Sequence, residues 1–340
     1  MNIYGQTLEE LENYFATKNQ KKFKAAQVYD WLYKKRVNSF HDMTNIKKEI
    51  IISLSQDFSI QKPKILQKQS GKDVHKYLLE LNDNSKVEAV LMLHDYGNSL
   101  CISTQVGCNM GCAFCESGRQ KKKRNLEADE MVSQILLIEK DLGLRISHIV
   151  LMGIGEPFDN YDNVIKFIQI INSNKGIDIG SRHITVSTCG IVPKIKQFAR
   201  ESLQVNLAIS LHAPNDKLRS RLMKINKVYP LKDVIDAVKY YIAQTNRRVT
   251  FEYIMLKNVN DGFEEAEELA KLLKGLNAYV NLIPYNETSH IDFQKTSESH
   301  IMRFYDILKK NHINVTVRRK FGSEVAAACG QLRSSYEEGK

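Results

Sequence analysis

The chain has 340 residues, 43% of them apolar, with six cysteines and a formal net charge of +10. That length and composition allow one full α/β domain with a smaller appendage, and the lack of any run of about 18 apolar residues excludes a membrane helix. The opening MNIYGQTLEELENYF is acidic and amphipathic, unlike a secretory leader, so a cytoplasmic protein is expected, and the basic balance points to a polyanionic partner without bearing on fold.

Residues 1–60 read as a helical accessory domain. LEELENYFATKN (8–19) and AAQVYDWLYKKR (25–36) carry apolar residues at helical spacing. The basic runs KKFK (21–24) and KKR (34–36) make this region a candidate RNA-contact domain, although a solvated helical face has the same pattern. Residues 61–98 read as a small β extension. Its strands KYLLELND and SKVEAVLML are joined by the turn-forming NDNS.

Residues 99–330 alternate strand and helix, with a tail over 331–340. The β-rich runs are SLCIST, SHIVLMG, RHITVST, QVNLAISLH, RVTFEYIML and AYVNLIP. Helical stretches follow at 127–142, 161–172, 192–202, 231–244, 263–275 and 296–310, and INVTVR forms a last strand. The repetition predicts parallel strands joined by crossover helices. Six units are too few for a closed eight-fold barrel, so an α/β open six-stranded (β/α) partial barrel is expected, with a doubly wound sheet as the alternative. In either fold the site lies at the C-terminal ends of the strands, where the unusual residues fall.

Cys101, Cys108, Cys112 and Cys115 lie within fifteen residues. In a reducing compartment such clustering points to metal or redox chemistry rather than a disulfide framework. GCNMGCAFC has the spacing C-x-x-x-C-x-x-C. Three thiolates on a 4Fe–4S cube leave one iron without a protein ligand. S-adenosylmethionine (SAM) can chelate that iron through its amino and carboxylate groups and be cleaved to a 5′-deoxyadenosyl radical, a radical SAM chemistry that the protein positions. The alternative is a zinc site in a non-catalytic RNA-binding assembly factor. Zinc modules usually present paired C-x-x-C ligands, and no fourth cysteine or histidine follows at suitable spacing.

The stretches GCNMGCAFC, MGIGEPFDNYDNV, ITVST, SLHAPND, FEYIMLKNVND, NLIPYN and AACGQLR resemble, in order and over most of the chain, the RlmN family. Those enzymes are dual-specificity 23S rRNA and tRNA adenine carbon-2 methyltransferases. The related Cfr family, which methylates carbon 8 of the same rRNA adenine, is the runner-up, and Pro157 with the following FDNYDNV is more similar to RlmN. The resemblance implies a cluster on Cys108, Cys112 and Cys115. It implies SAM contacts at Gly155, Glu156, Ser187, Ser210, Leu211, His212 and Asn286. It further implies that Cys329 is S-methylated by a first SAM and carries the methyl carbon to the base. Cys101 would be its resolving partner in a transient disulfide, and Glu88 the proton acceptor. Cys189 matches no role and reads as a buried structural thiol. The implied partners are 23S rRNA, at the peptidyl-transferase-centre adenine, and tRNA, at the adenine after the anticodon. The electron donor would be a protein such as flavodoxin or ferredoxin, and the chain a monomer.

The chain departs from the family pattern at Glu116 and the following GRQKKKR, at Ala326, and at Lys224. A carboxylate at 116 would make the cluster harder to reduce. Candidate phosphate binders are the N-terminal basic helices, residues 118–124, Arg247-Arg248 and Arg318-Arg319-Lys320.

Overall fold

A computed structural model gives the fold over residues 1–288, 290–318, 332–333 and 336. Three helices begin the chain, α1 (Leu8–Thr17), α2 (Phe23–Tyr29) and α3 (Lys48–Asp57). Thr7 and Glu10 form a capping box that starts α1, and Leu11 and Phe15 bury one face of it. The helix α2 runs on into a π-helical turn over Asp30–Lys34, and α3 lies beyond the two predicted helices. The N-terminal segment is tied to the rest by Asn2 Nδ2, which donates to Asp129 Oδ2 at 2.9 Å, and by an ion pair of Arg36 with the buried Glu139.

Three strands follow: β1 (Lys64–Ser70), β2 (Val74–Glu80) and β3 (Lys86–His94). The expected 61–98 extension thus has a further strand, and it is not a separate layer. The strand β3 pairs antiparallel with β2 and with β4 (Gly97–Cys101), so the hairpin is the edge of the core sheet. Its near-continuous apolar run, buried at Val87–Met92, is that of a strand covered on both faces.

After the short pair β5 (Gln105–Val106) and β6 (Arg124–Asn125) come α4 (Ala128–Leu142), β7 (His148–Leu151), α5 (Tyr161–Asn172) and β8 (Ile184–Thr188). Then follow α6 (Val192–Phe198), β9 (Asn206–Ser210), α7 (Asp216–Leu222), α8 (Leu231–Thr245) and β10 (Val249–Met255). The chain continues through α9 (Phe263–Leu273), β11 (Ala278–Pro284), α10 (Glu298–Lys310) and β12 (Val315–Val317). The order in the main sheet is β1-β2-β3-β4-β7-β8-β9-β10-β11-β12. Pairing is parallel throughout from β4 to β12. The expected open six-stranded β/α unit is present, and β12 extends it in parallel. The amphipathic helices bury Val, Ile, Leu and Phe faces in one continuous core with the sheet. The unpredicted α7 starts where Asn215 accepts a hydrogen bond from Leu218 N at 3.0 Å.

Candidate active site at the cysteine loop

The three motif cysteines lie on one loop closed at its base by the β5–β6 pair. Cys108 N donates to Gln120 O at 3.0 Å and Lys123 N to Val106 O at 2.7 Å. Gly107 makes this closure possible: its φ is +81°, and a Cβ there would lie 2.2 Å from Lys121 O. The middle of the loop rests on α7, with Ala113 N donating to Leu222 O at 2.9 Å and Met110, Cys112 and Phe114 packed against Leu222 and Met223.

Cys108, Cys112 and Cys115 all line a cavity of about 350 Å³ at the C-terminal ends of the parallel strands, together with Cys101, Gly155, Glu156, Ser187, Ser210, His212 and Asn286. Burial pushes the Cys108 thiol up to about 12 and Cys112 well above the ordinary thiol range. A thiolate there needs a cationic group beside it. Among the described residues no three His, Cys, Asp or Glu side chains converge as ligands of a single metal ion. Three thiols on one cavity wall suit the three protein-held corners of a 4Fe–4S cube, with its fourth iron left open.

Glu156 is buried beside the loop. Its Oε1 accepts from Phe158 N at 3.0 Å and its Oε2 from Cys189 N at 2.8 Å. Burial raises its pKa, and these hydrogen bonds work against the rise. Such a carboxylate suits an ammonium group. Gly155 has φ +110°, and a Cβ there would sit 2.6 Å from Gln105 Cβ, so the backbone can approach a ligand closely only as glycine. Gln105 itself accepts from Glu156 N at 2.9 Å.

Ser187 and Ser210 face each other across β8 and β9, Oγ to Oγ 3.5 Å. His212 has φ +58°, a left-handed backbone conformation that a non-glycine residue rarely adopts outside functional or tightly held positions. Its Nδ1 accepts from Ile254 N at 3.1 Å, which leaves Nε2 to donate. Burial and the Arg219 charge push its pKa down to about 3, so the ring is neutral at physiological pH. Leu211 does not line the cavity: its side chain is buried in the main core, and its N–H and C=O bond to Glu252 O and Arg219. Asn286 stands exposed at the mouth.

Cys101 ends β4, 6% exposed, against Val74, Val90 and Met92. Glu88 is 2% exposed. It shares a face of β3 with the cavity-lining Val90 and Met92 but does not itself reach the lining. Its Oε1 accepts from Arg333 N at 2.6 Å and its Oε2 pairs with Lys76 Nζ at 3.1 Å. Cys329, Ala326, Arg319 and Lys320 lie outside the described residues.

Glu116 is beside the cysteines as expected, buried and on the lining. Its charge is offset by Arg119 Nη1 at 2.9 Å, which moderates the expected effect on reduction. The 118–124 run is only partly available to RNA. Besides Arg119, Lys122 pairs with Asp159 at 2.8 Å and Arg124 with Asp83 at 2.8 Å and Glu130 at 2.7 Å, leaving Lys121 and Lys123 exposed. Arg318 lines the cavity and reaches Met92 Sδ at 3.5 Å.

The structure adds residues that sequence reasoning missed. Cys189 lines the cavity, and its peptide N–H holds Glu156. Glu252 is buried on the cavity wall, accepts from Asn281 Nδ2 at 2.8 Å, and has its pKa raised by burial. Arg219 is fully buried behind the loop. An acidic residue in the middle of the largely apolar β10 was the one signal for Glu252; one of two arginines in a seven-residue helix carried none for Arg219.

Three cysteines and a buried glutamate around one cavity at the strand ends of an open parallel β/α sheet define a radical SAM enzyme. A family model described as the Radical SAM superfamily matches residues 102–273, and one described as the ribosomal RNA large subunit methyltransferase N-terminal domain matches residues 1–60. The probable dual-specificity RNA methyltransferase RlmN of Streptococcus thermophilus (strain CNRZ 1066) is 53% identical, over 98% of this chain and 88% of its own length. That of Acholeplasma laidlawii is 52% identical over 98% and 99%. The crystal structure of a radical SAM methyltransferase from Sphaerobacter thermophilus superposes with a TM-score of 0.91 at 40% identity, covering 97% of this chain and 98% of that one. The chain belongs to the RlmN family of radical SAM methyltransferases, and its cofactors are a 4Fe–4S cluster and SAM.

Proposed function

We propose that this enzyme methylates carbon 2 of an adenine in 23S rRNA and of the adenine 3′ to the anticodon in tRNA. What supports the reading is that Cys108, Cys112, Cys115, Glu156 and Cys101 share one cavity. Cys108, Cys112 and Cys115 hold the cluster. Glu156 binds the methionyl ammonium of SAM, the backbone at Gly155 contacts it, Ser187, Ser210, His212 and Asn286 orient the rest, and Leu211, buried behind them, holds the end of its strand in place. Bound together, the two cofactors supply a 5′-deoxyadenosyl radical.

Cys329 carries the methyl carbon as a thioether. A carrier is needed because the ring carbon is electrophilic and does not accept a methyl cation by direct displacement. Glu88 takes the ring proton as aromaticity returns, and Cys101 closes on Cys329 as a disulfide when the product leaves. The apolar wall of Val74, Val90 and Met92 around Cys101 keeps water from that thiol. The chain works in the cytoplasm as a monomer, with RNA phosphates on its basic surface and a one-electron donor such as flavodoxin or ferredoxin. No described helix is long and apolar enough to cross a membrane.

The test is nucleoside mass spectrometry of rRNA and tRNA from a deletion strain complemented with the parent chain or with Cys329→Ala. The expected result is 2-methyladenosine with the parent and none with the variant. Finding 8-methyladenosine instead would move the enzyme to carbon-8 chemistry, and methylation that survives Cys329→Ala would remove the carrier role.

A further inference from the structure

Arg219 is a buried charge that the scheme above does not use. It sits in the middle of α7 with 0% exposure. Its guanidinium donates to the carbonyls of Cys189 at 2.6 Å, Leu211 at 3.3 Å and Ser210 at 3.4 Å, and to Asn226 Oδ1 at 2.8 Å. None of these acceptors is charged. Among the described residues no carboxylate pairs with it directly; Asp216 is reached only through Asn226, whose Nδ2 donates to Asp216 Oδ1 at 2.8 Å. A buried cation with neutral partners alone is strongly disfavoured unless an anion lies close by.

The candidate anion lies across α7. The helix is the back wall of the cysteine loop, joined to it by the Ala113–Leu222 hydrogen bond and the packing of Cys112 on Leu222 and Met223. On the other side, the peptide unit of Cys189 connects Arg219 to Glu156, its C=O accepting from the guanidinium and its N–H donating to the carboxylate. The nearby Glu116 does not cancel this charge, because it is paired with Arg119.

Thiolates around an oxidised 4Fe–4S core leave the assembly anionic, and one-electron reduction adds a further negative charge. A fixed cation in a low-dielectric wall favours the more negative state. We propose that Arg219 is the buried counter-cation of the cluster: a positioning residue that clamps the backbone at 189, 210 and 211 and raises the reduction potential of the cluster behind which it lies. The inference rests on the cluster assignment made above.

The test uses anaerobically reconstituted full-length enzyme and electron paramagnetic resonance during redox titration. The parent must first take up four irons per chain, as expected for a 4Fe–4S site; failure there would remove the cluster assignment itself, a result distinct from the one below. In Arg219→Gln the reduced-to-oxidised ratio at a fixed poise should fall about tenfold, a shift of about 59 mV to lower potential for a one-electron couple, while Arg219→Lys should keep most of the parental value. Asp216→Asn/Asn226→Asp tests the charge without removing the guanidinium. It moves one carboxylate against Arg219 at unchanged total charge, and it should lower the potential in the same direction. A doubly substituted protein that loads iron and titrates at the parental potential overturns the proposal, whatever Arg219→Gln does.

Discussion

Lys76 and Glu88 meet across the β2–β3 hairpin, Nζ to Oε2 3.1 Å, with their side chains 0% and 2% exposed. Opposite strands put them on the cavity-side face, next to Val74, Val90 and Met92. A buried ion pair of this kind loses stability when one partner alone is removed. Lys76→Met leaves the Glu88 charge buried without this cation, and is expected to cost about 3–5 kcal/mol of stability. Lys76→Met/Glu88→Gln should cost less than Lys76→Met alone, because it removes the stranded charge. Chemical denaturation of the three variants with the parent measures both.

The proposed role of Glu156 makes SAM binding depend on pH. Burial raises its folded pKa against the pull of two peptide N–H groups, and on the proposed reading the ammonium of SAM binds the carboxylate. Affinity for SAM should weaken as pH falls through the raised pKa, and near that pKa binding should release a proton. Calorimetry in buffers of different ionisation enthalpy detects the release, and Glu156→Gln should abolish it while weakening binding.

His212 makes the stability of the fold depend on pH. Its folded pKa of about 3 lies below the free imidazole value of about 6.5, so below that value the unfolded chain takes up a proton the folded chain refuses. Stability present above about pH 6.5 is lost as pH falls toward 3. His212→Gln should be less stable at pH 7.5 and show a shallower loss between pH 7 and 5, read from thermal midpoints.

Gly155→Ala places a methyl group 2.6 Å from Gln105 Cβ at a backbone φ of +110°. Cys108, Cys112 and Cys115 are on a separately held loop, so iron uptake should survive while SAM affinity falls at least tenfold, about 1.4 kcal/mol. Iron analysis and equilibrium dialysis on the same sample separate the two.

Of the basic run, Lys121 and Lys123 are exposed whereas Lys122 is held by Asp159. Lys121→Ala/Lys123→Ala should weaken RNA binding across sequences and reduce the slope of log K against log salt by up to about 2. Lys122→Ala should change that slope less. Filter binding at several salt concentrations decides.

The long β/α repeat was legible because helices such as α4, α5 and α8 are amphipathic over ten or more residues and end within a residue or so of expectation. The cysteines and strand-end residues were legible because their chemistry is local to short motifs. What the chain did not reveal is non-local. The pairing of Lys76 with Glu88 depends on hairpin register, and the burial of Arg219 on carbonyls delivered from the ends of β8 and β9. The neutralised half of the 118–124 run reads as a charge cluster until Asp159 and Glu130 are folded against it. Likewise the β extension reads as separate because nothing in SKVEAVLML says which strand will pair with its far edge.

That far edge has a mechanical consequence. With β3 stitched to β4 and β4 to β7, the carboxylate at 88, the thiol at 101 and the strand leading to Glu156 share one ladder of backbone hydrogen bonds. Their spacing is therefore set by strand register, and on the proposed reading an RNA substrate meets groups whose separation the sheet has already fixed.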